Sequence, residues 1–106
     1  MGKEMKTGGE GHKTVKISEY IKHGADQYFS YNADIYGRVF VSSVLVSDDC
    51  RSARIFISVD QENDIGRVIK LLKKNTSDVS LYIKKRFSSK YFPKIKFEGY
   101  NEEIGF

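Results

Sequence analysis

The sequence predicts an α+β domain in which one three-stranded sheet is covered by helices on a single face. Three observations carry that prediction. Residues 38–47 and 51–60 are adjacent runs rich in β-branched and aromatic side chains, helical apolar stripes lie before and after them, and a last extended run starts at Pro93. The order is helix, strand, strand, helix, helix, strand. Each helix offers a single apolar stripe, and stacking all of them on one side of the sheet is the economical way to bury them. A chain of 106 residues with 40% apolar content has room for one modest core and reads as one domain.

Residues 1–13 hold Gly2, Gly8, Gly9 and Gly11 among charged residues. With almost no apolar surface to offset the entropy of ordering, they are expected to be a disordered tail, with His12 solvated. The domain proper is expected over residues 14–100. Thr14 is the expected N-cap of a helix whose Ile17, Tyr20, Ile21, Ala25 and Tyr28 fall near one face, with Lys16, Glu19, Lys22, His23 and Asp26 elsewhere. Gly24 sits inside that helix and weakens it by about 1 kcal/mol relative to alanine. Residues 28–36 leave helical periodicity, and Asn32 marks a turn or a helix end.

In the second β run Ala53, Ile55, Ile57 and Val59 share one face, while Arg54, Ser58 and Asp60 point the other way. Asp48, Asp49 and Cys50 join the two runs, which makes an antiparallel hairpin. The first run is less regular: Val39, Val41 and Leu45 face one way, and Phe40, Val44 and Val46 the other. A fully buried strand or a bulge near Ser42-Ser43 explains that pattern. Next, Ile65, Val68, Ile69 and Leu72 mark a helix over residues 66–74, with Arg67, Lys70 and Lys74 opposite. After a break at Asn75-Thr76-Ser77, Val79, Tyr82, Ile83 and Phe87 mark a second helix over residues 78–89. Pro93 then blocks helix continuation and opens a strand with Ile95 and Phe97 inward and Lys94 and Lys96 outward. Residues 101–106 form a short acidic tail.

Charge is unevenly placed. Residues 66–96 contain ten of the 18 basic residues and one of the 14 acids, Asp78, so the segment is +9 and the rest of the chain −5. A cluster of that kind focuses potential and points to a polyanion, with phosphate the first candidate. Other classes are disfavoured. No apolar run is long enough to cross a bilayer, and no secretory signal opens the chain. The single Cys50 allows neither an internal disulfide nor a cysteine-rich zinc site. A cytoplasmic, reduced protein with no cofactor, metal or small-molecule substrate is the expectation.

The element order is also that of a type II KH domain, a single-strand nucleic-acid binding fold that usually holds nucleic-acid backbone at a GXXG loop between two helices. Here Asn75-Thr76-Ser77-Asp78 occupies that place. Three stretches make the chain resemble the ribosome-binding factor A family: residues 41–49 followed by 53–58, with a Ser-x-Asp turn at Ser47-Asp48-Asp49; the helical pair at the expected distance; and the closing run 91–97 with its Pro-x-apolar-x-Phe pattern at Pro93, Ile95 and Phe97. The resemblance covers residues 15–100. It implies a type II KH-like fold with an interrupted helix in place of GXXG, and a monomeric bacterial factor. Such a factor binds the free small (30S) ribosomal subunit and its 16S rRNA and assists late maturation and rRNA processing, notably in the cold, without catalysis. The family's Ala-x-Gly kink aligns with Asn75-Thr76-Ser77, and a typical Asp-Pro-Arg before the hairpin reads Asn32-Ala33-Asp34.

The expected RNA-binding residues are Arg67, Lys70, Lys73, Lys74, Asn75, Ser77, Lys84, Lys85, Arg86 and Lys90. Lysine outnumbers arginine among them, which suits attraction to backbone phosphate better than bidentate base reading. Asn75 and Ser77 can equally hydrogen-bond RNA or end a helix. Arg54 is a secondary RNA candidate, with solvation the commoner role. Tyr82, Phe87, Tyr91 and Phe92 could stack on bases, although the spacing of Tyr82 and Phe87 favours the core. Asp48 and Asp49 could hold Mg²⁺ but are more simply turn residues, and neither Cys50 nor His23 sits in a catalytic or metal-binding pattern. Two other functions fit the size and charge: a small basic ribosome-associated ribonuclease using tyrosine, lysine and arginine side chains, and a module that binds an acidic protein.

Overall fold

A computed structural model describes residues 8–60, 64–85 and 92–100, with side chains from residue 14 onward. Among these residues the order is α1 (Gly8–Tyr31), α2 (Ala33–Tyr36), β1 (Val39–Val46), β2 (Ser52–Val59), α3 (Ile65–Lys74), α4 (Thr76–Lys84) and β3 (Lys94–Gly99). The sheet order is β1-β2-β3. β1 and β2 pair antiparallel, whereas β2 and β3 pair parallel, from Ser52 opposite Lys94 to Ile57 opposite Gly99. A parallel neighbour needs a crossover, and the α3–α4 pair supplies it.

Helix α1 starts earlier than the periodicity predicts and ends at Tyr31, next to the Asn32 that marks a helix end in the sequence. Residues 8–13, expected to be disordered, form its first turns. Extending an existing helix adds one backbone bond per residue fixed, which is far less demanding than nucleating one. Side-chain burial begins at Ile17 and continues through Ile21, Ala25 and Tyr28 to Phe29. Residues 1–7 and the acidic tail at 101–106 lie outside the described residues. No described helix is long and apolar enough to cross a membrane.

The hairpin carries the bulge. Its register shifts between Val41 and Ser43, after which Val44 faces Ile55 and Val46 faces Ala53. The extra residue reverses the phase of the strand. Val39, Val41, Val44 and Val46 all pack toward the helices, and Phe40 and Leu45 are left exposed at 51% and 39%. Leu45, expected beside Val39 and Val41, therefore faces away from them. The connecting turn is closed by Ser47: its hydroxyl donates to Asp49 Oδ1 at 2.6 Å, and the Arg51 amide donates to the same carboxylate at 3.0 Å. Those two bonds hold the Asp49 carboxyl below the usual carboxylate range. Asp48 and Asp49 are thus turn residues, and no group of three or more metal-ligating side chains occurs among the described residues.

The core is built from aliphatic and aromatic side chains. Ile55, Ile57, Ile95 and Phe97 from the sheet meet Val68 and Leu72 of α3, Val79 and Ile83 of α4, and the α1 stripe. On the opposite face of the sheet Phe56 is also buried. The Arg54 guanidinium lies 5.0 Å from its ring centre and binds Glu98 in two-pronged fashion at 2.7 and 2.9 Å. That pairing holds the Glu98 carboxyl below its ordinary range. Arg54, the secondary RNA candidate, is therefore tied into the structure of β2 and β3.

Candidate nucleic-acid interface

Asp64 starts α3. Its carboxylate caps α3 by accepting from the Gly66 amide at 2.9 Å. Helical periodicity then divides the sequence. Val68 and Leu72 point to the core, and Arg67, Lys70, Lys73 and Lys74 occupy one exposed arc. Lys73 and Lys74 stand in the last turn, where the helix dipole favours cations.

The break that follows is one residue long rather than three. Asn75 leaves the helix with φ −108° and ψ 17°, and its amide N–H is shared between the carbonyls of Leu71 and Leu72. The chain resumes as α4 at Thr76 because the Thr76 hydroxyl donates back to the Leu72 carbonyl at 2.8 Å, a bond that bends a helix without ending it. The Asn75 side chain turns inward: its Nδ2 donates to the Tyr36 hydroxyl at 3.1 Å. Tyr36 is fully buried and shares a 2.9 Å hydrogen bond with the hydroxyl of Tyr28. Burial first, and the bond to Tyr36 second, push the Tyr28 phenol well above its ordinary value. The break is therefore bolted to the end of α1 and to the single turn of α2 by three side chains.

On α4 the exposed arc is Ser77, Asp78, Leu81, Lys84 and Lys85, opposite Val79 and Ile83. Tyr82 packs edge-on against Tyr28 with ring centres 5.6 Å apart, and Phe92 packs against the core. Neither belongs to the cationic arc. Arg86, Phe87, Lys90 and Tyr91 lie outside the described residues. Lys94 and Lys96 are exposed but project from the sheet, on the side away from the helices. The basic segment thus has two faces, one on the helices and a smaller one on the sheet.

Sequence reasoning located the two lysine-bearing arcs and missed what holds them. Tyr36 lies in a stretch without periodicity, and its partner Asn75 is 39 residues away. Helix packing adds a second constraint that the sequence only hinted at. A β-carbon on Gly24 would sit 3.1 Å from Ile83 Cγ2, so α1 and α4 approach as closely as they do because Gly24 has none.

The family model described as "Ribosome-binding factor A" matches residues 13–103. The ribosome-binding factor A of Bdellovibrio bacteriovorus is 26% identical over 96 residues, covering 88% of this chain and 72% of its own. The crystal structure of ribosome-binding factor A from Thermus thermophilus superimposes with a TM-score of 0.72 at 11% identity, over 81% of this chain and 94% of the other. A homology model of the Thermus thermophilus ribosome-binding factor A, fitted into a cryo-electron microscopy map of a complex of that factor with the 30S subunit, gives 0.66 at 11% identity over 76% and 88%. The described fold is accordingly the KH-like α+β fold, with the Asn75 break where a GXXG loop would stand.

Proposed function

The chain belongs to the ribosome-binding factor A family, and on that premise we propose that it binds the free small ribosomal subunit through 16S rRNA. There it assists late maturation and rRNA processing without itself catalysing a reaction. The observation that supports this reading best is the set of exposed cationic side chains on α3 and at the far end of α4. Arg67, Lys70, Lys73, Lys74, Lys84 and Lys85 are all exposed, on two helices whose relative angle is fixed by a buried hydrogen-bonded group. The Thermus relative whose coordinates were fitted to a 30S complex makes the small subunit the natural target. Arg86 and Lys90 extend the same basic run in sequence and are proposed to join it. Ser77, exposed on the first turn of α4, is proposed as a hydrogen-bonding contact, and Asn75 as the residue that holds the break in place.

Lysines arrayed on a rigid surface attract phosphate without reading bases, so affinity should be steeply salt-dependent. Neutralising about five phosphates gives a log–log slope of roughly −3 to −5. The test is co-sedimentation of purified protein with isolated small subunits, large subunits and assembled ribosomes across a salt series. Selective, salt-sensitive retention on free small subunits is expected. Equal retention on every particle would reduce the protein to a generic basic domain.

A further inference from the structure

We infer that Tyr31 forms a base-stacking site beside the α3–α4 break and takes an unpaired nucleotide of the RNA whose phosphates the neighbouring lysines hold. This rests on the reading of the α3–α4 face as an RNA-binding surface and adds to it the form of RNA recognised.

Helix α1 runs antiparallel to α4. Gly24 meets Ile83, Tyr28 meets Tyr82, and beyond them Tyr36 meets Asn75. Seven residues of helix are two turns, about 10 Å, and return to nearly the same direction. Tyr31 is seven residues beyond Gly24, and Thr76 is seven residues before Ile83. The Tyr28–Tyr36–Asn75 bonds bring the end of α1, where Tyr31 stands, to the break. A tyrosine on that side of α1 would ordinarily be covered by α4. Here α4 begins at Thr76, and Tyr31 is 72% exposed.

An exposed aromatic ring at the end of α1, which Tyr28 and Tyr36 tie to the residue that follows Lys73 and Lys74 in the chain, combines the two elements of single-strand recognition. Cations hold the backbone, and a π-face takes a base that is not already stacked in a duplex. Charge settles which occupant to expect: the adjoining arc is cationic, and a nucleobase brings its own phosphates. Of the aromatics that could stack by sequence, Tyr82 packs against the core, as its spacing favours, and Phe92 does too.

The chain contains no tryptophan, so Tyr31→Trp in the full-length protein introduces a unique fluorophore. The probes are a single-stranded RNA of about a dozen nucleotides and the blunt duplex of the same sequence. The single strand is expected to quench the tryptophan and the duplex to leave it unchanged. Tyr31→Ala should weaken single-strand binding about tenfold with the salt slope retained, because no phosphate contact is lost, and Tyr31→Phe should bind as wild type. Wild-type affinity in Tyr31→Ala, or equal quenching by both RNAs, would overturn the stacking site. A Lys70/Lys73→Glu variant measured in parallel separates the two readings. If it loses binding while Tyr31→Ala does not, only the stacking site fails. If the wild type binds neither RNA, the RNA-binding reading fails with it.

Discussion

At the scale of single residues, the geometry of the α3–α4 break rests on buried groups. Tyr36 accepts from Asn75 and bonds to Tyr28 in the interior, where an unpaired polar group is costly. Tyr36→Phe strands both partners and should destabilise the fold by about 1–3 kcal/mol in urea denaturation. Combined with Asn75→Ala, the effects should be less than additive, since the two substitutions remove one shared bond. Strict additivity would mean that the bond contributes nothing. Tyr28 adds a pH signature. Its phenol titrates above its ordinary value of 10 in the folded state, so the folded protein holds a proton that the unfolded chain releases. Stability from this source is complete below about pH 10 and declines as pH rises beyond it, and Tyr28→Phe should flatten that decline. Gly24 is the third such residue. With 3.1 Å to Ile83 there is no room for a β-branched side chain, and Gly24→Val should cost about 1–3 kcal/mol through overpacking.

At the scale of elements, periodicity made most of the chain readable. The helices show i, i+3, i+4 apolar spacing, β2 alternates, and Pro93 marks the start of the last extended run, so the fold class follows from local pattern alone. What local pattern does not carry is phase after an irregularity. The bulge at Ser42-Ser43 is visible as a fault in alternation, yet Leu45 is assigned to a face only once the partner register is known. The break is similar. Asn, Thr and Ser in a row suggest an interruption, but one threonine hydroxyl returning to Leu72 restores the helix two residues sooner than composition implies. Tyr36 and Tyr31 were illegible for a different reason: one is buried and the other exposed by contacts made or withheld by a distant helix. Inserting one residue between Ser43 and Val44 should rotate Val44 and Val46 out of the core, at about 3 kcal/mol or more for two valines, measured as a lowered midpoint in thermal melts.

At the scale of the whole molecule, a net charge of +4 conceals a +9 segment, and the fold distributes that segment over two surfaces. The helix arc lies beside the break, whereas Lys94 and Lys96 project from the sheet on the side away from the helices. General electrostatic attraction would use both faces, and specific seating on rRNA uses one. Two variants with identical charge change separate these cases: Lys70/Lys73→Glu on the helices and Lys94/Lys96→Glu on the sheet. The decisive measurement is the affinity of each for isolated small subunits across a salt series. The helix pair should lose well over about tenfold with a slope shallower by about 2, and the sheet pair should stay close to wild type. Equal losses from the two pairs, or a larger loss from the sheet pair, would contradict the assignment of the rRNA-binding surface to α3 and α4.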